Sequence, residues 1–396
     1  MSKVAIIGGG FSGVISSIYA SKLNEVTIFE RNNDILKKLL LTGNGRCNFF
    51  NKNQNINNYH STSNEYLKDI ITQDNIDELI KFYKKIGIET KEKDGYYYPY
   101  SNQAISVKNA LVNKLKETNI EIKTDYFVNE IKIKDNKFII NNELEFDKVI
   151  ISTGGSSYPI TGSDGNMYDI LKNLKIKITD ISPALAPLIT DDKYLKELSG
   201  VRANANISFY GDDKLIQEEQ GELQLTDYGI SGICVFNLSY LYNIYKNSYV
   251  LINFMPFIKT KEELEKYLDN KDKEMNEKKV SELLNGILNN KIINVIIKKS
   301  EIKDIKYKTL DKNEKMRLLN NIFSYKMNIT DIKGFNKSQV TMGGVDLNEI
   351  DINTMQVKNI PNLYITGELL DIDGICGGYN LTHSFITGYI AGKSVW

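Results

Sequence analysis

The sequence predicts an α/β protein that is built around a parallel sheet and interrupted by an inserted domain. Residues 1–30 contain a buried strand, a helix with apolar residues at helical spacing and a second buried strand, which together form a βαβ opening. A similar pattern returns near the end, where an apolar strand at 363–366 precedes a helix at 379–395. Between these segments the pattern changes to antiparallel strands and charged helices. The two ends of the chain are therefore expected to complete one domain.

Domain boundaries follow from these changes in pattern. We place the first part of the outer domain at residues 1–185 and its C-terminal part at 346–396. The insertion starts with a β-rich part at 186–258, continues as a helical subdomain at 259–327 and returns through a strand at 328–345. Helices are expected at 76–86, 104–117 and 230–245, a tyrosine-rich strand or hairpin at 95–99, a β-meander at 127–146, and strands at 120–123, 149–152, 206–210, 222–225 and 249–254.

Composition restricts the class of partner. Acidic and basic residues balance at 50 each, and a neutral chain lacks the basic face that nucleic-acid binding usually needs. The three cysteines have neither zinc-ligand spacing nor a disulfide framework. No apolar run reaches the length of a signal peptide or of a membrane span, roughly 18 residues. We expect a cytoplasmic protein with a small-molecule substrate and no metal, membrane or nucleic-acid partner; the oligomeric state stays open.

A glycine-rich motif joins the first strand to the first helix. Gly8, Gly10 and Gly13 form GxGxxG, with Phe11 and Ser12 between the last two glycines. Gly8 permits a tight turn, Gly10 lets the backbone approach a pyrophosphate, and Gly13 lets the helix pack close to the strand. The helix N-terminus adds N–H donors and a positive dipole end.

An acid follows at the end of the second strand. Glu30 lies about 20 residues after the motif, where a carboxylate accepts hydrogen bonds from the ribose hydroxyls of adenosine. Arg31 comes next and is a candidate contact to the same part of the cofactor. Strand, helix, second strand and acid together predict a dinucleotide site.

The motif alone leaves FAD and NAD open. The meander at 127–146 is followed by a strand that leads into Thr153-Gly154-Gly155, a layout similar to the glutathione-reductase-like FAD fold. Phe127-Val128 stands where such proteins present backbone to the adenine. Gly367-Glu368 ends an apolar strand and resembles the late FAD motif near the ribityl or phosphate region.

Two segments carry a more specific resemblance. Residues 38–48 (KLLLTGNGRCN) and 367–381 (GELLDIDGICGGYNL) resemble the signatures of the BaiN-type, aminoacetone-oxidase-like family of flavoproteins. The order of segments is similar over the whole length. The resemblance implies a Rossmann-type FAD-binding domain with a β-rich inserted domain and a smaller helical part. Further candidate FAD contacts in these segments are Lys38, Thr42, Gly43, Gly45, Arg46, Cys47, Asn48, Gly377, Gly378, Tyr379, Asn380 and Leu381.

The chemistry of both segments suits a flavin. Residues 42–45 are expected to form a nest of backbone N–H groups, and Arg46 adds a fixed positive charge. Such a charge near the N1/C2=O edge stabilises reduced flavin. A structural loop with a surface arginine is the alternative. The last helix, starting at Gly378, is expected to direct its positive end at the isoalloxazine ring.

Catalytic candidates are few. Arg46, Cys376 and His383 are the candidates near the flavin, and no acid or base is assigned. Cys47 and Cys376 do not form the close pair of disulfide reductases and are interpreted as small packing residues. His60 is interpreted as a surface residue, and His383 either joins the site or packs under the ring.

These observations predict an FAD-dependent oxidoreductase that transfers a hydride through the flavin N5. The inserted domain is expected to cover the flavin and build the substrate pocket. The resemblance implies oxidation of a small amine such as aminoacetone with dioxygen, or alternatively NAD(P)H-dependent reduction of an activated C=C bond. A second complete GxGxxG is absent, so NAD(P)H is expected to bind only transiently. A non-enzymatic flavin sensor or RNA-associated flavoprotein is the third hypothesis.

Overall fold

A computed structural model describes residues 1–245 and 247–396. Its contacts divide the chain into two compact units: an outer unit, Met1–Pro183 with Ser338–Trp396, and an inserted unit, Ala184–Lys337. The sequence pattern placed residues 338–345 in the insertion, whereas their contacts lie in the outer unit. The reason is local pairing, because the amide of Val345 donates to the carbonyl of Leu369 at 2.8 Å.

The first segment of the outer unit contains most of its elements. These are β1 (Lys3–Ile7), α1 (Phe11–Ala20), β2 (Glu25–Phe29), β3 (Phe50–Asn51), β4 (Tyr59–His60), α2 (Leu67–Ile70), α3 (Gln73–Lys85), β5 (Thr90–Lys93), β6 (Tyr96–Pro99), α4 (Ala104–Lys116), β7 (Glu121–Lys123), β8 (Ile131–Lys134), β9 (Lys137–Ile140), β10 (Leu144–Phe146), β11 (Lys148–Ile151) and α5 (Asn166–Asn173). A short strand, β12 (Ser182–Ala184), spans the boundary between the units.

The inserted unit follows in the chain. Its elements are β13 (Leu188–Thr190), α6 (Leu195–Leu198), β14 (Arg202–Gly211), β15 (Lys214–Leu225), β16 (Gly229–Ser231), α7 (Ile233–Ser239), α8 (Leu241–Ile244), β17 (Ser248–Asn253), α9 (Lys261–Glu274), α10 (Val280–Leu284), α11 (Asn290–Lys299), α12 (Lys312–Phe323) and β18 (Tyr325–Ile332). The chain then returns to the outer unit through β19 (Val340–Met342), β20 (Ile350–Asp351), β21 (Gln356–Val357), β22 (Leu363–Ile365), β23 (Asp373–Gly374) and α13 (Tyr379–Ser394).

The core of the outer unit is a seven-stranded sheet in the order β20-β21-β22-β11-β1-β2-β7. The strands from β22 to β7 run parallel. Val4, Ala5 and Ile6 on β1 are fully buried, as expected for a strand covered on both faces. The last apolar strand, β22, pairs with β11 and so brings the C-terminal segment into the same sheet as the N-terminal one. The carboxyl ends of β1, β2, β11 and β22 therefore lie along one edge, where α/β proteins bind ligands.

The inserted unit contains a closed barrel in the order β13-β16-β15-β14-β17-β18. The barrel closes through antiparallel pairing of β13 with β18. Alternate residues of β14, such as Ala205, Ile207 and Phe209, are fully buried in accordance with the two-residue period of a strand. The charged segment after β17, where a helical subdomain was expected, contains the helices α9 to α12.

Two expected elements differ in extent. The helix expected at 230–245 starts only at Ile233, because Gly232 has a φ of 109° and a Cβ there would overlap the carbonyl oxygen of Glu222. The strand expected at 328–345 is two strands, β18 and β19, which belong to different units.

The barrel supplies a stability test with a matched control. Phe209 on β14 is fully buried, while Leu215 on the neighbouring β15 is half exposed, at 50 %. We expect Phe209→Ala to lower the free energy of unfolding by about 3–5 kcal/mol, because it removes a buried ring and leaves a cavity. Leu215→Ala is expected to change it by about 0.5 kcal/mol or less. Urea denaturation of the FAD-bound protein measures both, and equal losses would contradict the assignment of the barrel core.

Candidate functional site

The glycine motif forms a tight link between β1 and α1. Gly8 has a φ of 103°, and its amide donates to the carbonyl of Phe29 at 2.8 Å. A Cβ at Gly13 would overlap the carbonyl oxygen of Gly8, so only glycine allows this helix to pack so close. Beside Gly10 the nearest atom to such a Cβ is the carbonyl oxygen of Ser152, 3.8 Å away. The loop is therefore closed at its ends and open in its middle, where a phosphate would approach.

Three hydroxyl groups at this edge support that interpretation. Ser12 follows β1, Thr153 follows β11 and Thr366 follows β22. The hydroxyl oxygen of each is buried and has no hydrogen-bond partner within the described part of the chain. Buried hydroxyls are rarely unpaired in folded proteins. Together with the uncapped start of α1, they fit a phosphate-bearing cofactor along the carboxyl ends of three strands.

Glu30 organises the turn beside this edge. It is buried, and its Oε2 accepts from the amide of Gly9 at 2.9 Å. Its Oε1 accepts from the backbone and side-chain nitrogens of Asn32, each at 2.8 Å. A carboxylate has about four acceptor positions, so it can order the loop and still accept a ribose hydroxyl.

Arg31 lies on the exposed side of the same turn. It forms an ion pair with Asp164, and its guanidinium lies over the ring of Phe127, 4.8 Å from the centroid. Phe127 is 44 % exposed, whereas the neighbouring Val128 is buried. The expected adenine-side residues are thus grouped on one rim of the sheet.

A second charged pair joins the two ends of the chain. Lys38 Nζ lies 2.5 Å from Glu368 Oε2, and Glu368 Oε1 accepts from the amide of Thr341 at 3.0 Å. Thr341 also accepts from the amide of Ser156 at 2.8 Å, directly after Gly154-Gly155. Three of the expected site segments, 38–48, 153–155 and 367–381, therefore meet around Glu368, the second of them through Thr341.

The loop at 42–47 differs from its expected form. The amides of Gly45 and Cys47 donate to the carbonyl of Thr42, and that of Arg46 donates to Gly43. The amides of Thr42, which donates to Leu39, and of Gly45 are thus engaged inside the turn, so at most those of Gly43 and Asn44 remain of the four N–H groups of the predicted nest. Arg46 is exposed and lies over the ring of Tyr98, 5.3 Å from its centroid.

Cys47 and Asn48 are neighbours with different environments. Cys47 is fully buried, and burial raises the pKa of its thiol to about 12, so it stays protonated and unreactive. Asn48 donates from Nδ2 to the carbonyl of Tyr97 at 3.0 Å, while its buried Oδ1 has no partner among the described residues. An unpaired acceptor of this kind suits a ligand N–H. Among the described residues the three cysteines form no disulfide, and Cys376 is partly exposed.

The start of α13 packs on the segment after Asn48. A Cβ on Gly378 would lie 2.6 Å from the amide nitrogen of Phe50, and one on Gly377 would lie 2.7 Å from the ring of Tyr96. The side chain of Asn380 bonds both to the amide of Gly374, at 2.9 Å, and to its carbonyl, at 2.7 Å. Tyr379 is buried and Leu381 is partly buried beside it. The second expected segment, 377–381, is thus fixed next to Asn48.

His383 lies inside the outer unit. It is fully buried, neither ring nitrogen has a partner among the described residues, and burial lowers its pKa to about 3. A neutral imidazole sealed from water is a packing group rather than an acid or base at neutral pH.

Sequence reasoning missed a cluster around residues 60–63. His60, interpreted as a surface residue, has a side chain that is 22 % exposed and lies 3.0 Å from Asp373 through Nδ1. Asp371 accepts from the amide of Thr62 at 2.9 Å and from its hydroxyl. Burial raises the pKa of Asp371, with the neighbouring carboxylate of Asp373 adding to the effect. The motif at 367–381 contained both acids, but only the fold shows which partner each one has.

Known proteins with similar sequences identify the family of this chain. The site and fold define an FAD-dependent oxidoreductase with a Rossmann-type domain. The chain belongs to the HI0933-like family, whose Rossmann-domain model matches residues 2–394. It is 33 % identical to a 3-dehydro-bile acid delta(4,6)-reductase of Clostridium scindens, covering 100 % of this chain and 99 % of that protein. These matches confirm the resemblance seen in the two motifs.

More distant proteins share the layout. A ribosomal RNA dihydrouridine synthase of Escherichia coli is 24 % identical over 98 % of this chain and 97 % of its own length. A 3-ketosteroid-delta4-(5alpha)-dehydrogenase from Rhodococcus jostii RHA1 superposes with a TM-score of 0.51 at 13 % identity, over 100 % of this chain and 97 % of that one. At this identity the structural match supports the fold alone.

Residues 1–245 and 247–396 contain neither a helix suited to span a membrane nor a cluster suited to hold a metal ion. No helix in these ranges is long and apolar enough to cross a membrane. No group of three His, Cys, Asp or Glu side chains in the same ranges is arranged to hold a metal ion.

The burial of His383 predicts a pH dependence of stability. In the unfolded chain this residue binds a proton below its usual pKa of 6.5, whereas in the fold it does so only near 3. The stability contributed by the neutral form is therefore present above about pH 6.5 and is lost as the pH falls. We expect wild-type protein to lose about 2 kcal/mol more of its unfolding free energy than His383→Leu between pH 7.5 and pH 5. Urea denaturation at both pH values measures this difference, and parallel losses would show that His383 is not sealed.

Proposed function

We propose that the outer unit holds FAD along the carboxyl edge of its parallel sheet. The pyrophosphate lies over the glycine loop and the start of α1, where the open middle of the loop and the unpaired hydroxyls support it. Its contacts in this proposal are Gly8, Gly10, Phe11, Ser12, Gly13, Thr153, Gly154 and Gly155. When bound, FAD supplies reversible hydride transfer.

In this proposal the adenosine end and the flavin end of FAD contact different groups of residues. Glu30, Arg31 and the backbone of Phe127-Val128 hold the adenosine end. The Lys38–Glu368 pair with Gly367 lies at the ribityl region. Residues near the isoalloxazine ring are Asn48, Gly377, Gly378, Tyr379, Asn380 and Leu381. In this assignment Arg46 contributes charge from the exposed rim, while Cys47 supports the loop from inside and makes no direct contact.

The reaction we propose is reduction of a C=C bond conjugated to a carbonyl group. The observation that carries it is the 33 % identity, over the full length of both chains, to the 3-dehydro-bile acid delta(4,6)-reductase. That name describes double bonds in conjugation with a 3-ketone. The ribosomal RNA dihydrouridine synthases, at 24 % and 25 % identity, are named for a product in which the carbonyl-conjugated double bond of uracil is saturated. The shared chemistry is an electron-poor alkene that accepts a hydride.

Other activities stand as alternatives. Oxidation of a small amine with dioxygen, which the sequence analysis put first, has no similar support among these relatives. A flavin sensor would undergo reduction without turnover. The neutral net charge disfavours RNA over a small enone as the substrate.

A single set of half-reactions separates these activities. The FAD-bound protein is mixed anaerobically with NADH, NADPH or aminoacetone, and flavin bleaching is followed. We expect bleaching by a nicotinamide and reoxidation by a 3-oxo-4-ene steroid in the absence of oxygen. Bleaching by aminoacetone with peroxide formed in air would instead establish the oxidase. Reoxidation only by a uridine-containing ribosomal RNA would establish an RNA substrate, and reoxidation by none of these acceptors would overturn the proposed reaction.

The cofactor assignment has its own test at Glu30. We expect Glu30→Ala to raise the Kd for FAD by about 10–100-fold, because it removes ribose contacts and frees the amides of Gly9 and Asn32. Glu25→Ala is the control, since Glu25 is exposed at the start of the same strand, β2. Titration of apoprotein with FAD by fluorescence measures both. Unchanged affinity in Glu30→Ala would contradict the ribose assignment.

A further inference from the structure

A short antiparallel pair places His60 opposite a buried acid. In the pairing of β4 with β23, His60 lies across from Asp373. His60 Nδ1 lies 3.0 Å from Asp373 Oδ2, and the exposed fractions of the two side chains are 22 % and 2 %. The other carboxylate oxygen, Oδ1, is buried without a partner among the described residues. A buried carboxylate on one ring nitrogen fixes the orientation and the tautomer of an imidazole.

Hydrogen bonds connect the segment that carries this pair to the start of α13. The strand β23 continues into the segment 375–378, and the amide of Ile375 donates to the carbonyl of Asn58 at 3.0 Å. Asn380 bonds to both backbone groups of Gly374. His60 is therefore attached to the same short segment that carries Gly377 and Gly378.

Reduction of a carbonyl-conjugated alkene needs a proton as well as a hydride. The hydride adds to the β-carbon, and the resulting enolate must be protonated at the α-carbon. Several titratable groups of this region are unsuited to that step. Burial holds the pKa of His383 near 3 and raises that of Cys47 to about 12, and both are sealed from water. Burial likewise raises the pKa of Tyr379 to about 12, and its hydroxyl already donates to the carbonyl of Asn53 at 2.9 Å.

We propose that His60, oriented by Asp373, is the proton donor of the reduction. This inference rests on the proposed function. Bound FAD, reduced by a nicotinamide, would supply the hydride that the β-carbon receives, and His60 gives its Nε2 proton to the α-carbon while its Nδ1 proton stays hydrogen-bonded to Asp373. One C–H bond forms at each carbon, so the substrate gains two electrons and two hydrogens. The neutral imidazole of His60 then regains a proton from solvent, to which the side chain is partly exposed. Asp373 is a positioning residue that keeps Nδ1 occupied.

The test separates the two half-reactions in His60→Gln. We expect flavin reduction by the nicotinamide to stay within about threefold of wild type, and reoxidation by the enone to slow by about 10²–10⁴-fold. Glu65→Gln is the matched control, because Glu65 is exposed five residues further along the same segment. Equal reoxidation rates in His60→Gln and wild type would overturn the role of His60. If no enone reoxidises wild-type flavin, the proposed reaction itself fails, which is a distinguishable result.

Two further measurements keep the proposal testable if the variant binds FAD poorly. In D₂O, wild-type protein is expected to place deuterium on one face of the α-carbon, whereas His60→Ala gives both faces, and added imidazole restores the lost rate. Stereospecific deuteration by His60→Ala would exclude His60 as the donor.

The positioning role of Asp373 can be tested on the resting protein, without catalytic turnover. The chain has two histidines, so ¹⁵N spectra of the imidazoles are simple to assign. We expect Nδ1 of His60 to carry a proton in wild type and to lose this preference in Asp373→Asn, while the His383 signals do not move. An unchanged tautomer in Asp373→Asn would show that Asp373 has no orienting role.

Discussion

Close packing of α1 against α13 is the constraint on which the outer unit depends. A Cβ on Gly388 would lie 2.6 Å from the carbonyl oxygen of Ser12, and one on Gly392 would lie 2.5 Å from that of Ser16. Helices approach this closely only where both surfaces carry small residues, since the usual distance between axes is about 8–10 Å. The contact places the second half of α13 against the first turns of α1, next to the glycine loop. It also makes the two terminal segments one structural unit despite the long insertion between them.

Local signals explain why much of this could be predicted. Gly8, Gly10, Gly13 and Glu30 lie within one βαβ unit, so their spacing in the sequence already determines their spacing in the fold. The last helix was expected at 379–395 and is found at Tyr379–Ser394. Such elements depend on residues that are neighbours in the chain. The same holds for the helices α9 to α12 of the inserted unit, whose apolar period needs no long-range information.

Long-range pairing explains what could not be predicted. The sequence placed His60 on the surface because none of its neighbours in the chain is a partner, yet Asp373 lies opposite it across a two-residue strand pair. The expected nest at 42–45 is incomplete for a related reason. A Gly-rich stretch permits several turns, and here Thr42 accepts the amides of Gly45 and Cys47, which leaves fewer N–H groups for an anion. Neither the strand pair nor the choice of turn has a periodic signal.

Buried charge is distributed unevenly over the proposed FAD site. At its proposed phosphate end the polar groups are backbone N–H groups and hydroxyls, which the ends of helices and strands supply. At its proposed flavin end, carboxylates are buried beside residues 60–63. Asp346 accepts from Ser63 and pairs with Lys177, Asp371 accepts from Thr62, and Asp373 pairs with His60. A buried carboxylate is costly unless it is paired and hydrogen-bonded, so each of these acids needs its partner for the region to fold. Apolar side chains of similar volume would pack there without the cost of desolvation, so the proposed role of His60 gives one reason why the Asp373 carboxylate is retained.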